Sequence, residues 1–175
     1  MRDQTGDPVE NPTRFFENKY IRLALIAATI IGLDQITKAL ILFHVPLHKT
    51  MPVIPGLFNI THIQNPGGAF GFMANQGPGL RSVLFLFVSA IAIGVILYFY
   101  KTTPGKEKWL TSALSLIFGG AIGNFIDRIR FGQVVDFLDF YVHDLHWPAF
   151  NVADSAITVG ITIFIFQILF KSKDK

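Results

Sequence analysis

The sequence predicts an all-α membrane protein: a four-transmembrane-helix bundle with small β or irregular extracytoplasmic segments at the membrane surface and both termini cytoplasmic. Three observations carry that expectation. Charged residues make up 15% of the 175-residue chain against 51% hydrophobic, and the mean hydropathy is +0.45, whereas a soluble domain carries about 25% charged residues. Four apolar runs, at about 21–43, 83–100, 109–126 and 150–170, suit a hydrocarbon core of roughly 30 Å crossed at about 1.5 Å per residue. Lys and Arg, finally, gather at alternate ends of those runs.

Residues 1–18 are polar, carry both signs of charge and lack an apolar stretch, and so read as a disordered cytoplasmic tail. A single membrane domain follows over 19–170, and 171–175 forms a short basic cytoplasmic tail. The first apolar run contains Arg22, Asp34 and Lys38, yet no small-x-small cleavage site follows it, so an uncleaved helix is expected. The second, from Val83 to Tyr100, holds no charge. Ten basic residues (Arg2, Arg14, Lys19, Arg22, Lys101, Lys106, Lys108, Lys171, Lys173 and Lys175) then fall on one side, and Lys49, Arg81, Arg128 and Arg130 on the other. That imbalance places both termini in the cytoplasm. It also accounts for the pI near 9.3 without invoking nucleic acid.

The two outer segments differ in character. Residues 44–79 contain Pro46, Pro52, Pro55, Pro66 and Pro78, too many for one continuous helix. Between them Leu57–Gln64 alternates polar with β-branched residues and predicts a short strand, and Asn65-Pro66-Gly67-Gly68 predicts a turn. Val134–Tyr141 reads equally as a strand or a short helix. Both segments are rich in aromatic residues, as expected at a membrane surface.

Depth sorts the polar residues. Asp34 lies roughly 20 Å from the start of the first helix, with Lys38 one turn further. Asn124, Asp127 and Arg128 sit at the outer end of the third run, Asn151 and Asp154 at the outer end of the fourth, and Asn65 and Asp136 in the outer loops. A carboxylate at membrane depth costs on the order of 3 kcal/mol, so each acid needs a partner, a wet cavity or a function. Asp34 and Lys38, at i and i+4, can neutralise one another. Asp127 has Arg128 and Arg130 nearby and reads as structural. Asp154 has only the amide of Asn151 on its face, and Asp136 is flanked by apolar residues with no adjacent cation. Spacing leaves a catalytic and a structural reading of Asp136 with Asp154 both open.

Two carboxylates within reach of one water cannot both ionise, so they share a proton. The ionised member can take a proton from water attacking a carbonyl, and the protonated member can donate to the carbonyl oxygen and later to the leaving amine. Arg128 and the amides of Asn65, Asn124 and Asn151 could hold a peptide backbone beside them. Other chemistries lack their residues. The chain has no cysteine, which excludes disulfides, thiolate metal sites and a cysteine nucleophile. No His-Glu-x-x-His is present, and His44 with His48 and His143 with His146 read as interfacial packing. Ser89, Ser115 and Ser155 lack a Gly-x-Ser-x-Gly setting. Gly94 and the Gly119-Gly120-x-x-Gly123 stretch suggest close helix packing.

Five motifs together resemble the lipoprotein signal peptidases, or signal peptidase II: Asp34-Gln35-x-x-Lys38; Asn65-Pro66-Gly67-Gly68-Ala69-Phe70-Gly71; Gly123-Asn124-x-x-Asp127-Arg128; Val134-Val135-Asp136-Phe137; and Phe150-Asn151-Val152-Ala153-Asp154-Ser155. They occur in family order over residues 34–155. The resemblance implies an aspartyl endopeptidase of the bacterial cytoplasmic membrane that cuts prolipoproteins on the amino side of a diacylglyceryl-modified cysteine, with its site facing outward. It implies Asp136 and Asp154 as the catalytic pair, Asn65, Asn124, Arg128 and Asn151 as substrate-binding residues, and Asp34, Lys38 and Asp127 as structural support. It implies no metal or cofactor, inhibition by globomycin-type peptides, contact with membrane phospholipid and a monomer. Gly68 departs from the common Gly-Ala-Ala-Phe pattern, which bears on loop stiffness. A small transporter or proton relay is the alternative, since intramembrane acids also mark ion paths, although the inner half of the bundle has no comparable polar residues. A non-catalytic assembly factor, in which every acid only makes an ion pair, is a third.

Overall fold

Long helices and one small antiparallel sheet make up residues 18–67 and 77–171, the part of the chain that the computed structural model describes. Helix α1 spans Lys19–His44, α2 Pro78–Thr102, α3 Lys108–Phe131 and α4 Val152–Lys171. All four are long and apolar enough to cross a membrane. Strands β1 (Thr50–Ile54) and β2 (Phe58–Asn65) lie between α1 and α2, and β3 (Val134–Val142) and β4 (Leu145–His146) between α3 and α4. The four strands pair in the order β1-β2-β3-β4. Expectations about residues 1–17, 68–76 and 172–175 fall outside the described residues.

Local chemistry sets each helix end and explains why apolar length alone misplaces them. Asn18 caps α1, its side chain accepting from Tyr20 N at 2.9 Å. The helix stops at Val45, which precedes Pro46 and is therefore driven into the extended region, at φ −114°. Helix α2 begins at Pro78 rather than Val83, because a proline in the first turn starts a helix well and loses no hydrogen bond there. Helix α3 runs past residue 126 through Asp127, Arg128 and Arg130, and ends only where Gly132 adopts φ 70°. Helix α4 starts at Val152, since Asn151 caps it, and Phe150 instead bridges to Leu138.

The bundle is polar inside and apolar outside. Helix α3 touches each of the other three helices, whereas the most hydropathic stretch of α2 buries none of its residues. Asp34, Lys38, Thr111, Ser115, Asp127 and Asn151 are all almost wholly buried, while Phe43, Phe87, Tyr98 and Phe166 face outward. This is the arrangement a lipid solvent favours. Gly123 permits a close polar approach: a Cβ there would lie 2.6 Å from Asp34 Oδ2. Gly94, expected at a helix contact, faces open space instead.

The sheet closes one end of the bundle. Ile54-Pro55-Gly56-Leu57 makes the β1–β2 turn, with Gly56 at φ 82° and Leu57 N donating to Ile54 O at 3.0 Å. Strand β1 had no counterpart among the sequence expectations. It is a wholly exposed edge strand that tolerates Pro52 because it pairs on one side only. Leu57–Gln64 forms most of β2, and 134–142 resolves as strand, with Asn65 opposite Val134 and Ile63 opposite Asp136. Ile41, Val45, Val135 and Phe137 form an apolar cluster where α1 meets β3. The pairing is what brings Asn65, expected in a turn, to the end of a strand beside Asp136.

Candidate active site

Buried and half-buried polar side chains from α1, α3, β3 and the start of α4 converge beneath this sheet. Asp34 and Lys38 lie one turn apart on α1, with Lys38 Nζ 2.8 Å from Asp34 Oδ2. The same ammonium lies 2.8 Å from Asp127 Oδ2 on α3 and donates to Asn124 Oδ1 at 3.0 Å. The cation of Asp127 is therefore Lys38, from another helix, and neither of the expected neighbours Arg128 and Arg130. A helical neighbour in sequence points around the helix axis, whereas Lys38 reaches across from the facing helix. Arg130 instead donates to Gln35 Oε1 at 3.3 Å, and Arg128 to Asn124 O at 3.3 Å.

The other two acids of this locus have amides where Asp34 and Asp127 have a cation. Asp136 is 2% exposed. Its Oδ1 accepts from Asn151 Nδ2 at 2.7 Å and its Oδ2 from Asn65 Nδ2 at 2.9 Å. Asp154, half-buried in the first turn of α4, accepts from Asn124 Nδ2 at 2.7 Å through Oδ1 and from Asn151 N at 3.2 Å through Oδ2. Asn151 returns the cap, its Oδ1 accepting from Asp154 N at 2.9 Å. Among the described residues, no Lys or Arg lies within ion-pair distance of Asp136 or Asp154.

Electrostatics follow from these partners. Burial raises the Asp136 carboxyl to about 7, and the nearby charge of Asp154 adds to that; the Asn65 and Asn151 amides and Lys38 oppose it. Arg128 is near enough to Asp154, Asp127 and Asp136 to interact electrostatically with all three. An acid poised near neutrality beside a second acid can give and take a proton within one working pH range.

The structure thus gathers Asp34, Lys38, Asn65, Asn124, Asp127, Arg128, Asp136, Asn151 and Asp154 around one locus. Two further residues belong to it without having been assigned roles from sequence. Gln35 Nε2 donates to Asp34 Oδ2 at 3.1 Å, Gly123 O at 3.2 Å and Asp127 Oδ1 at 3.1 Å. A glutamine in an apolar run is itself a signal, since an unsatisfied amide there is costly. Arg81 Nε donates to Gly67 O at 3.0 Å, and Gly67 N to Asn65 Oδ1 at 2.9 Å, so α2 steadies the loop that presents Asn65. His143 and His146 share no helical face, His143 taking φ 55° in the β3–β4 turn and His146 meeting Asp139 Oδ1 at 2.8 Å.

Four membrane-length helices, a surface sheet and a buried acid pair held by amides define a multi-pass membrane protein with a polar site at one end. Comparison with known proteins sharpens that class. The family model described as signal peptidase (SPase) II matches residues 26–170. The chain is 53% identical over 150 residues to the lipoprotein signal peptidase of Desulforapulum autotrophicum, covering 86% of this chain and 93% of that one. It is 43% identical over 155 residues to the lipoprotein signal peptidase of Syntrophus aciditrophicus, covering 89% and 96%. A solved bacterial membrane enzyme, determined by the in meso method at 1.9 Å, superposes with a TM-score of 0.75 at 34% identity, covering 85% of this chain and 92% of that one. The chain belongs to the signal peptidase II family, and is therefore a peptidase carried in a membrane.

Proposed function

We propose that this protein is an aspartyl endopeptidase that removes signal peptides from bacterial prolipoproteins, cleaving on the amino side of a diacylglyceryl-modified cysteine. The observation that carries the reading is the division of the four acids. Asp34 and Asp127 share Lys38 at ion-pair distance, whereas Asp136 and Asp154 accept their hydrogen bonds from amides, with Lys38 and Arg128 acting on them only through space. An acid kept from a cation can hold a proton at neutral pH, which the chemistry needs.

In the resting pair the two acids share one proton, and in this reading Asp136, raised to about 7 by burial, carries it. Asp154 takes a proton from the attacking water, and Asp136 donates to the carbonyl oxygen as the tetrahedral intermediate forms. As the intermediate collapses the C–N bond breaks, the proton on Asp154 passes to the leaving amine, and one hydroxyl of the intermediate returns its proton to Asp136 as the C=O re-forms. Asn124 and Asn151 hold the Asp154 carboxylate, and Asn65 and Asn151 that of Asp136. Arg128 and these amides are the groups available to the peptide backbone. The half-buried Asp154 and the exposed Asn65 mark the side from which substrate enters.

The same reading puts the protein in the inner membrane with both termini cytoplasmic and the site on the outer face, acting as a monomer surrounded by phospholipid. Globomycin-type peptides would compete for the site, and no cofactor or nucleic acid takes part. The test is a gel-shift assay on a diacylglyceryl-modified precursor, with and without such an inhibitor. Inhibitor-sensitive conversion to the shorter product is expected. No conversion by the folded enzyme contradicts the reading.

A further inference from the structure

We propose that Asp34, Lys38 and Asp127 are positioning residues that together set the separation of Asp136 and Asp154, a role that rests on the acid-pair reading above. A pair that merely locked two helices would need one carboxylate. Lys38 instead holds Asp34 Oδ2 and Asp127 Oδ2, each at 2.8 Å, and its third contact is Asn124 Oδ1 at 3.0 Å. All three ammonium protons are thereby engaged.

What the two carboxylates do next gives the triad its direction. Asp34 Oδ1 accepts from the backbone N–H of Ala153 at 3.0 Å. Asp127 Oδ2 accepts from the backbone N–H of Val135 at 3.1 Å. Ala153 immediately precedes Asp154, and Val135 immediately precedes Asp136. The N–H of a residue lies in one plane with its own Cα, and the next Cα is held about 3.8 Å from that one, so a grip on the N–H keeps the neighbouring acid within a short reach. Each support acid therefore grips the main chain one residue ahead of a catalytic acid, on a different element in each case. Lys38 ties the two grips together.

The third contact adds orientation. Because Lys38 donates to Asn124 Oδ1, the Asn124 amide nitrogen faces Asp154, to which it donates at 2.7 Å. Gln35 reinforces the tie by donating to both Asp34 and Asp127. Helix α1 supplies no catalytic acid, yet it bridges the two elements that do. The charged groups around the pair are Asp34 and Lys38 on α1, Asp127 and Arg128 on α3, Asp136 on β3 and Asp154 on α4.

The test compares the full-length enzyme with Asp34→Asn and Asp127→Asn, each purified as folded protein in detergent and assayed on a diacylglyceryl-modified precursor across pH. Asparagine keeps an oxygen for the backbone N–H but loses the charge that holds Lys38. Expected is a fall in kcat of about tenfold to a hundredfold with KM within about twofold. The two limbs of the pH–rate profile should also draw together, because the separation of two acids sets how far their titrations split. A purely structural role would lower the melting temperature and leave the profile of the folded fraction unmoved. Unchanged kcat and limbs in the folded variants overturn the proposal, and so does failure of both variants to fold. Asp136→Asn is run alongside: wild-type-like cleavage by that variant defeats the acid-pair reading itself, and the positioning role with it.

Discussion

Asn151 donates its side-chain amide to Asp136 Oδ1 at 2.7 Å and its backbone N–H to Asp154 Oδ2 at 3.2 Å. One residue thus touches both acids while capping the helix that carries the second. Its fully buried side chain also reaches Val135 O at 3.3 Å and Asn124 Oδ1 at 3.2 Å. Asn151→Ala removes a helix cap worth about 1 kcal/mol and strands several buried polar groups, for a total loss of about 1–3 kcal/mol. Cleavage by the folded variant should fall by more than about tenfold, because the Asp136 carboxyl loses a fixed orientation. Thermal unfolding and single-turnover assays on one preparation check both parts.

The Asp136 carboxyl makes stability depend on pH in a defined direction. Its folded value is about 7 against 3.8 for the free group, so the folded state retains a proton that the unfolded state releases. The wild type therefore loses stability as pH rises from about 4 to about 7, and this contribution is flat above that. Asp136→Asn abolishes the dependence and should be the more stable protein at pH 8, with the gain shrinking as pH falls. Melting temperatures of the two proteins across pH measure it. A wild type equally stable relative to Asp136→Asn at all pH values would show that Asp136 is not raised.

Lys38 carries the compensation for two buried carboxylates. Lys38→Met should destabilise by about 3–5 kcal/mol, since breaking a buried ion pair leaves charge uncompensated. Combining it with Asp34→Asn and Asp127→Asn should restore most of that loss, as no unpaired charge then remains. Unfolding in detergent mixtures compares the single and triple variants. Equal stability of the two would mean that the triad is not mutually compensating.

Gly123 holds the space that Asp34 occupies. A Cβ there would meet Asp34 Oδ2 at 2.6 Å and Ala153 Cβ at 3.3 Å, and neither neighbour is free to retreat, given the ties of Asp34 to Lys38 and Ala153. Gly123→Ala should cost about 1–3 kcal/mol through overpacking. Gly94→Ala, at a helix position facing open space, should be neutral or slightly stabilising. The pair of melting curves distinguishes a packing requirement from a general preference for glycine.

Much of this architecture was legible in the order of residues. Apolar length finds the four helices, because a hydrocarbon core imposes that length on any helix that crosses it. Their ends are less visible, since Gly77-Pro78, Gly132 and Asn151 set them through capping and left-handed geometry rather than hydropathy. Strand β1 escapes notice because it is a fully exposed edge, and Pro52 argues against a strand unless only one side is paired. The site residues are findable singly, as polar groups at improbable depth. Their pairing is not, as Asp127 shows: its local cations are arginines, while its actual partner lies 89 positions earlier on another helix. Only the packing of α1 on α3 supplies that contact.

The most direct test of the acid pair is cleavage of a diacylglyceryl-modified precursor by Asp154→Asn, beside the wild type and with folding verified. Asparagine keeps the shape and the cap to Asn151 but cannot accept a proton from water. The account predicts that product formation is abolished while the melting temperature stays close to that of the wild type. Appreciable cleavage by the well-folded Asp154→Asn enzyme would contradict it.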